Sequence, residues 1–125
     1  MFDQFPDTLH WGALRVMPRA LLVWRQGRPI PLTLRQFGAL MALLSQPHRT
    51  LSREEIWTFC WEQERRPSKT SAVDPRVVDV YIAQLRRKLG DDSVITVRGV
   101  GYRLGPCQDA AADHRAAVGP VQHIL

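Results

Sequence analysis

The chain has 125 residues, with 17 lysines and arginines against 12 aspartates and glutamates and a sequence pI near 10.0. This length suits one domain that buries a core without disulfides or metal ions, and the two cysteines, Cys60 and Cys107, have no metal-ligand spacing. There is no apolar run long enough to span a membrane and no signal-peptide pattern. We therefore expect a cytoplasmic protein without metal or cofactor, whose positive charge favours a polyanionic partner.

Residues 9–32 have the composition of short strands separated by turns. The run from Ala20 to Arg25 is β-prone, and Gln26-Gly27 is a turn signal. Ile30-Pro31-Leu32 is a brief extended piece, with Pro29 just before it and Pro31 within it. The two prolines confine that piece to the edge of a sheet, because proline cannot donate a backbone hydrogen bond.

Two helices follow, each with a capping-box pattern at its start. Thr33 is paired with Gln36 in the first helix, and Ser52 is paired with Glu55 in the second. Apolar residues at helical spacing predict the buried faces, which contain Phe37, Leu40, Met41 and Leu44 in the first helix and Ile56, Phe59 and Cys60 in the second. Residues 62–73 lack this spacing and predict a surface loop.

A third helix is predicted from Asp74-Pro75 to Leu89-Gly90. Asp74 suits the N-cap, Pro75 the first helical position, and Gly90 a left-handed stop. About fifteen residues at ~1.5 Å each make a rod of roughly 20 Å. One stripe is apolar and is expected to face the core, and it consists of Val78, Ile82, Leu85 and Leu89.

The opposite side of this helix has the composition of a DNA-reading surface. Small residues would let the helix approach base edges, glutamine can pair with adenine, and arginine can pair with guanine or phosphate. The residues on this side are Arg76, Val80, Ala83, Gln84 and Arg87, with Arg86 and Lys88 flanking the apolar stripe where phosphates would run. An ordinary exposed basic helix has a similar composition, so this helix alone leaves both interpretations open. Asp79 is expected to pair with a nearby basic side chain.

Residues 94–104 have strand composition on both sides of Arg98-Gly99-Val100-Gly101 and predict a β-hairpin. Gly99 and Gly101 allow positive φ in a tight tip, from which Arg98 would project. An arginine at such a tip suits a narrow minor groove, whose negative potential attracts it. Tyr102 is expected to support the strand and to offer its hydroxyl to a phosphate.

Three motifs together closely resemble the winged-helix effector domain of OmpR/PhoB-type response regulators of two-component systems. They are Val78-Asp79-Val80, Leu85-Arg86-Arg87-Lys88-Leu89 and the run from Thr96 to Arg103, and the resemblance covers residues 9–104. It implies an α+β winged helix-turn-helix fold, with a four-stranded antiparallel N-terminal sheet, three helices and a C-terminal hairpin wing. It also implies a sequence-specific transcriptional regulator that binds double-stranded DNA, with the third helix in the major groove and Arg98 along the minor groove.

The resemblance also has implications for partners. Family members commonly sit in pairs on direct-repeat sites, which implies a homodimer on DNA, and the loop between the second and third helices can contact RNA polymerase. Here that loop is longer and more basic than usual, so its residues are candidates for contacts with either phosphates or polymerase. These candidates are Trp61, Arg65, Arg66 and Lys69. The recognition helix has Ala83 and Gln84 where the family often has basic residues, which predicts a different sequence preference.

The DNA-binding domain is predicted to occupy residues 1–104, followed by an alanine-rich tail, residues 105–125, that we expect to be frayed or loosely packed. The sequence contains no counterpart of the family's phospho-acceptor receiver domain. We therefore expect either a stand-alone protein or a piece of a longer one.

Two other classes of function compete with DNA binding. An enzyme is disfavoured, because the four histidines are scattered and no nucleophile motif, phosphate loop or metal-ligand cluster is present. The stronger alternative is a winged-helix module that acts on protein, either RNA polymerase or a partner regulator. The absent receiver, Ala83 and Gln84 leave room for it, as do four candidates for exposed tryptophans, Trp11, Trp24, Trp57 and Trp61.

Overall fold

The computed structural model describes residues 1–64 and 75–107, with the side chain of Glu64 left out. Several predictions fall outside these residues and stay predictions. They are the N-cap role of Asp74, the contacts of Arg65, Arg66 and Lys69, and the tail beyond residue 107.

The fold is α+β and has the predicted winged-helix architecture. Four antiparallel strands form the N-terminal sheet in the order β1-β2-β3-β4, three helices follow, and a two-stranded hairpin ends the described chain. The elements are β1 (Leu9–Trp11), β2 (Leu14–Met17), β3 (Leu22–Arg25), β4 (Arg28–Pro29), α1 (Leu34–Ser45), α2 (Arg53–Glu64), α3 (Val77–Leu89), β5 (Val94–Val97) and β6 (Gly101–Leu104).

The N-terminal sheet follows the predicted pattern with two differences. The extended piece predicted at Ile30-Pro31-Leu32 is not a strand, and the last strand of the sheet is instead Arg28–Pro29. The run from Ala20 to Arg25 becomes a strand only at Leu22, because residues 18–20 form a 3₁₀ turn that starts at a proline. The Gln26-Gly27 turn is confirmed, and both of its residues have positive φ, which matches the twist of a tight hairpin. Pro29 lies in the edge strand β4, where its missing N–H costs no ladder bond.

Both predicted capping boxes are present. The Gln36 backbone N–H donates to Thr33 Oγ1 (3.2 Å), and the Thr33 N–H donates to Gln36 Oε1 (3.0 Å). In the second box the Glu55 N–H donates to Ser52 Oγ (3.1 Å), and the Ser52 N–H donates to Glu55 Oε1 (2.8 Å). The Ser52 N–H and the Arg49 guanidinium lower the pKa of Glu55. These bonds satisfy amides that have no partner within the helix and so fix where α1 and α2 begin.

The boundaries of α2 and α3 differ from the predicted ones. The second helix continues to Glu64, so the first residues assigned to the surface loop are helical. The third helix begins at Val77, and Pro75 lies in the preceding turn, where its carbonyl accepts from the Val78 N–H (2.9 Å). Gly90 ends the helix with φ 109° and ψ 153°, so it supplies a positive φ but not the left-handed helical conformation.

The core lies between the N-terminal sheet and the three helices. Phe37, Leu40 and Met41 are almost fully buried at its centre, together with the predicted apolar stripe of α3. The N-terminal segment contributes a core residue that no pattern in the sequence predicts. Phe2 is only 1% exposed, its ring centroid lies 5.5 Å from that of Phe37, and its backbone N–H donates to Gln63 Oε1 (3.0 Å). The first residues therefore close one end of the core.

The start of the predicted tail is part of the fold. The indole N–H of Trp11 donates to the Gly105 carbonyl (2.6 Å), and the Ala13 N–H donates to the Cys107 carbonyl (2.7 Å). The Gly105 N–H donates in turn to the Ser93 carbonyl (2.8 Å). Cys107 is fully buried, which raises the pKa of its thiol to about 12. The expectation of a loosely packed tail is therefore wrong for residues 105–107.

Candidate nucleic-acid interface

Helix α3 has the two predicted faces. Its apolar stripe is buried, and every member of the stripe is at most 1% exposed. On the other side Arg76, Ala83 and Arg87 are exposed, Val80 is 50% exposed, and Gln84 is half-buried. Small residues lie in the middle of this side and long basic residues lie towards its ends. This surface, defined by those five residues, is called the open face of α3.

The hairpin β5–β6 carries Arg98 at its exposed tip. The strands pair from Val94 opposite Leu104 to Val97 opposite Gly101, so residues 98–100 form the turn. The Val100 N–H donates to the Val97 carbonyl (2.9 Å), and Gly99 adopts a φ of +79°. Because Gly99 has no Cβ, it takes this conformation without strain, and the turn stays tight.

Gly101 has the predicted positive φ, at 159°, and a glycine is required there for a second reason as well. Gly101 lies against the chain just before α2, where Leu51 and Tyr102 exchange two backbone hydrogen bonds of 2.8 and 2.9 Å. A Cβ at residue 101 would lie 1.9 Å from the Leu51 carbonyl oxygen. The glycine therefore allows β6 to pair with this segment, which fixes the wing to the body of the domain.

Arg86 connects α3 to the wing. Its Nε donates to the Val94 carbonyl (2.9 Å), and its Nη2 donates to Thr96 Oγ1 (2.7 Å). Its guanidinium carbon lies 5.9 Å from the centroid of the Tyr102 ring. Sequence reasoning placed Arg86 among the groups for phosphate and base contacts. In the structure its Nε and Nη2 hold the hairpin at a fixed position beside α3, so these two nitrogens are used inside the domain.

Tyr102 is buried, and its hydroxyl is used inside the domain. It donates to Asp79 Oδ1 (2.5 Å), the same oxygen that accepts from Arg53 Nε (2.8 Å). The Arg53 and Tyr102 hydrogen bonds lower the pKa of Asp79, whereas burial and then the Asp79 charge raise the pKa of Tyr102. The basic partner predicted for Asp79 is therefore Arg53. The Tyr102 hydroxyl, which was expected to be offered to a phosphate, donates to Asp79 instead.

The Tyr102→Phe substitution should lower the free energy of unfolding by about 1 kcal/mol at neutral pH, since it removes a charge-assisted hydrogen bond to a partly exposed carboxylate. The pKa of Asp79 is below its ordinary value of 3.8 in the folded state, so this stabilisation is present above that value and is lost as the pH falls through the lower folded pKa. The difference between variant and wild type should therefore shrink in acid. Urea unfolding across an acid titration measures it.

Tyr81→Phe is a matched control for this experiment. Tyr81 lies on α3, the helix that carries Asp79, and it also has a phenol side chain. Among the described residues its hydroxyl makes no hydrogen bond to a carboxylate like that of Tyr102. We expect unchanged stability for this variant. Equal stability of Tyr102→Phe and wild type at neutral pH would show that the bond to Asp79 contributes nothing.

The C-terminal end of α3 is held by an arginine that sequence reasoning did not single out. The guanidinium of Arg25, on β3, donates to the Leu89 carbonyl and lies 3.6 Å from Asp92 Oδ1. A cation here interacts favourably with the last carbonyls of the helix. Lys88 is also directed to the body, where its ammonium donates to the Pro31 carbonyl (2.8 Å) and to Gln36 Oε1 (3.0 Å). No local sequence signal identifies these long-range partners.

Comparison with known proteins places this architecture in a family. The sequence profile described as "Transcriptional regulatory protein, C terminal" matches residues 27–104. The chain belongs to this family, the OmpR/PhoB-type effector domains.

Relatives and solved structures agree with this assignment. The chain is 36% identical over 105 residues to transcriptional regulatory protein CseB of Streptomyces avermitilis, covering 79% of this chain and 40% of that protein. It is 35% identical over 109 residues to the DNA-binding response regulator MtrA of Mycolicibacterium smegmatis, covering 83% of this chain and 45% of that protein. The chain thus spans less than half the length of these relatives. The Klebsiella pneumoniae RstA DNA-binding domain, solved with the RstA box, is 27% identical with a TM-score of 0.64, over 81% of this chain and 99% of that one.

The tryptophans of this effector domain do not form an exposed surface. Trp11 and Trp57 are buried, at 8% and 9% exposure, and Trp61 is half-buried with its ring centroid 6.4 Å from that of Trp57. Trp24 is half-buried beneath the Arg15 guanidinium, 4.3 Å from the ring centroid. The expectation of exposed tryptophans is therefore wrong, and with it one argument for a protein-directed module.

Two further observations concern the parts of the effector domain that the structure describes. No group of three or more metal-ligating side chains comes together in residues 1–64 and 75–107. Within the same ranges every helix is too short or too polar to cross a lipid bilayer. The candidate site within the described residues therefore consists of the open face of α3 and the wing.

Proposed function

We propose that this effector domain binds specific sequences of double-stranded DNA and thereby regulates transcription. It would do so in the cytoplasm, without catalytic activity or cofactor. The observation that carries the proposal is the pairing of the open face of α3 with Arg98 at the wing tip. Both are exposed, and Arg86 ties the helix to the hairpin that carries this tip. The names of the relatives, which include a DNA-binding response regulator, support it.

The shape of α3 fits the major groove. Its 13 residues form a rod of about 20 Å, and the groove is about 12 Å wide and admits a helix. Val80 and Ala83 lie in the middle of the open face, where short side chains allow close approach to base edges and contact with a thymine methyl. Arg76 and Arg87 lie near the two ends of the helix, where they would contact guanine or phosphates.

The wing supplies the second contact. Arg98 would enter the minor groove beside the major-groove segment read by α3, with Gly99 keeping the tip narrow. A minor groove narrowed by A/T sequence has enhanced negative potential and attracts arginine. Asp79, the acid within α3, is held by Arg53 and Tyr102, so its charge is balanced inside the domain.

The proposal also includes two partners. Two copies of the domain would bind side by side on direct-repeat sites, and the loop after α2 would contact RNA polymerase. Their support is the family membership and, for the polymerase contact, the three basic residues Arg65, Arg66 and Lys69. Trp61, Arg65, Arg66 and Lys69 remain the candidates for contacts with phosphates or polymerase in this region.

Selection from random duplexes followed by sequencing tests the proposal directly. We expect one enriched motif, present twice in direct orientation if two copies bind. Affinity for the selected duplex should fall steeply with salt, with a log–log slope of roughly −4 to −6 for a handful of neutralised phosphates. A module directed at protein would enrich no motif and would bind no duplex even in dilute buffer, which would overturn the proposal.

A further inference from the structure

We propose that Gln36, buried on α1, fixes the side-chain amide of Gln84 so that the recognition helix presents an N–H donor, and not a carbonyl acceptor, to the major groove. Gln84 would then read a base that offers acceptors, guanine before thymine, in place of the adenine expected from the residue type alone. This inference rests on the proposed function, because it names the base class read at one position of the DNA site.

The orientation of the Gln36 amide is set by two groups that can only donate hydrogen bonds. The backbone N–H of Thr33 lies 3.0 Å from Gln36 Oε1, as part of the capping box of α1. The Lys88 ammonium lies 3.0 Å from the same oxygen. A peptide N–H and an ammonium have no acceptor capacity, so the atom between them has to be the carbonyl oxygen. Gln36 is only 4% exposed, so its side chain is largely shielded from water.

The same logic then fixes Gln84. With its oxygen held by Thr33 and Lys88, Gln36 has only its NH₂ group to offer on the other side, and Nε2 lies 2.7 Å from Gln84 Oε1. An amide nitrogen at this distance requires an acceptor, so the Gln84 oxygen faces Gln36. The NH₂ group of Gln84 remains to donate from the open face of α3, where the side chain is half-buried between Val80 and Arg87 along the helix.

Base edges in the major groove respond differently to a donor and to an acceptor. Guanine offers two adjacent acceptors, O6 and N7, and thymine offers O4, whereas cytosine offers only the N4 donor. The two-point contact of glutamine with adenine needs the amide oxygen to accept from N6 while the nitrogen donates to N7. In this structure that oxygen faces Gln36 on α1, so turning it towards adenine N6 would cost the Gln36–Gln84 bond.

The Gln36→Glu variant tests the proposal by exchanging donor and acceptor in the hydrogen bond between residues 36 and 84. A glutamate keeps the capping box and can still accept from Thr33 and Lys88, but its second oxygen can only accept. Gln84 must then turn its NH₂ group towards residue 36 and its oxygen towards the groove. We expect the base pair read by Gln84 to change from guanine towards cytosine or adenine on the contacted strand. The ratio of affinities for guanine and cytosine should shift about tenfold or more.

Competition binding with the selected duplex and its single-base variants measures this ratio. Gln84→Ala identifies the position, since it should flatten the preference there alone. The double variant Gln36→Glu with Gln84→Ala should show the same flat preference as Gln84→Ala. This result would show that residue 36 acts through Gln84 and not through the general packing of α1.

A second variant keeps the test independent of how well Gln36→Glu folds. Gln84→Glu places one carboxylate oxygen against Gln36 Nε2 and the other in the groove, where it should favour cytosine through the N4 donor. Two results would overturn the inference about Gln36 and Gln84. One is adenine as the wild-type base at the Gln84 position, and the other is an unchanged base preference in both glutamate variants. A failure of wild type to select any duplex would instead overturn the proposed function itself.

Discussion

Replacing Arg98 by alanine should weaken binding to every duplex by about tenfold, with the largest loss on sites flanked by A/T base pairs. The guanidinium at the wing tip is exposed, and in the proposed complex it would contribute charge where the backbones of the minor groove approach each other most closely. Loss of one neutralised phosphate should also reduce the slope of log affinity against log salt by about 0.9. Fluorescence anisotropy titrations at several salt concentrations give both quantities.

Arg19→Ala is the matched control for Arg98→Ala. It removes the same charge, but Arg19 lies in the turn after β2, within the N-terminal half of the fold, and pairs with Asp7. Its affinity and salt slope should stay close to wild type. Equal losses in the two variants would show that the wing has no specific role and that net charge alone controls binding.

Gly101→Ala should lower the free energy of unfolding by about 3 kcal/mol or more, a larger loss than that expected for Tyr102→Phe. The new Cβ would lie 1.9 Å from the Leu51 carbonyl oxygen, and a backbone atom cannot move aside as the end of a flexible side chain can. Relief of the clash requires β6 to leave the Leu51 segment, which breaks the two hydrogen bonds between Leu51 and Tyr102. Urea unfolding of both proteins gives the difference in free energy.

Gly99→Ala in the same hairpin separates conformational strain from steric overlap. Gly99 has a φ of +79°, but no atom lies within 4 Å of its added Cβ. The cost should therefore be only that of a left-handed conformation for alanine, about 1 kcal/mol. If the two variants were equally stable, the close approach of β6 to Leu51 would not be a feature of the protein in solution.

The features that the sequence predicts correctly are those encoded by local spacing. The capping boxes depend on residues three positions apart, and the apolar stripe of α3 depends on helical period, so both are visible in short windows of sequence. The hairpin is recognisable because Arg98-Gly99-Val100-Gly101 lies between two β-prone runs. Membership of the effector-domain family rests on these same motifs.

The features that sequence reasoning missed depend on partners far apart along the chain. Arg86 and Gln84 belong by residue type to a DNA-reading face, and their contacts with Thr96 and Gln36 follow only from how the wing and α1 pack against α3. Tyr102 gives no sign in the sequence that its hydroxyl meets Asp79. The predicted start of α3 is too early because Pro75 suits the first helical position and the preceding turn equally well.

The burial of residues 105–107 sets a practical limit on where the domain can be cut. The family match ends at Leu104, but the indole of Trp11 and the amide of Ala13 both donate to carbonyls beyond that point. A protein shortened to the match would leave these donors without acceptors and would open the space now filled by the Cys107 side chain. Crystallography or binding assays on an isolated version should therefore retain the chain through Cys107 at least.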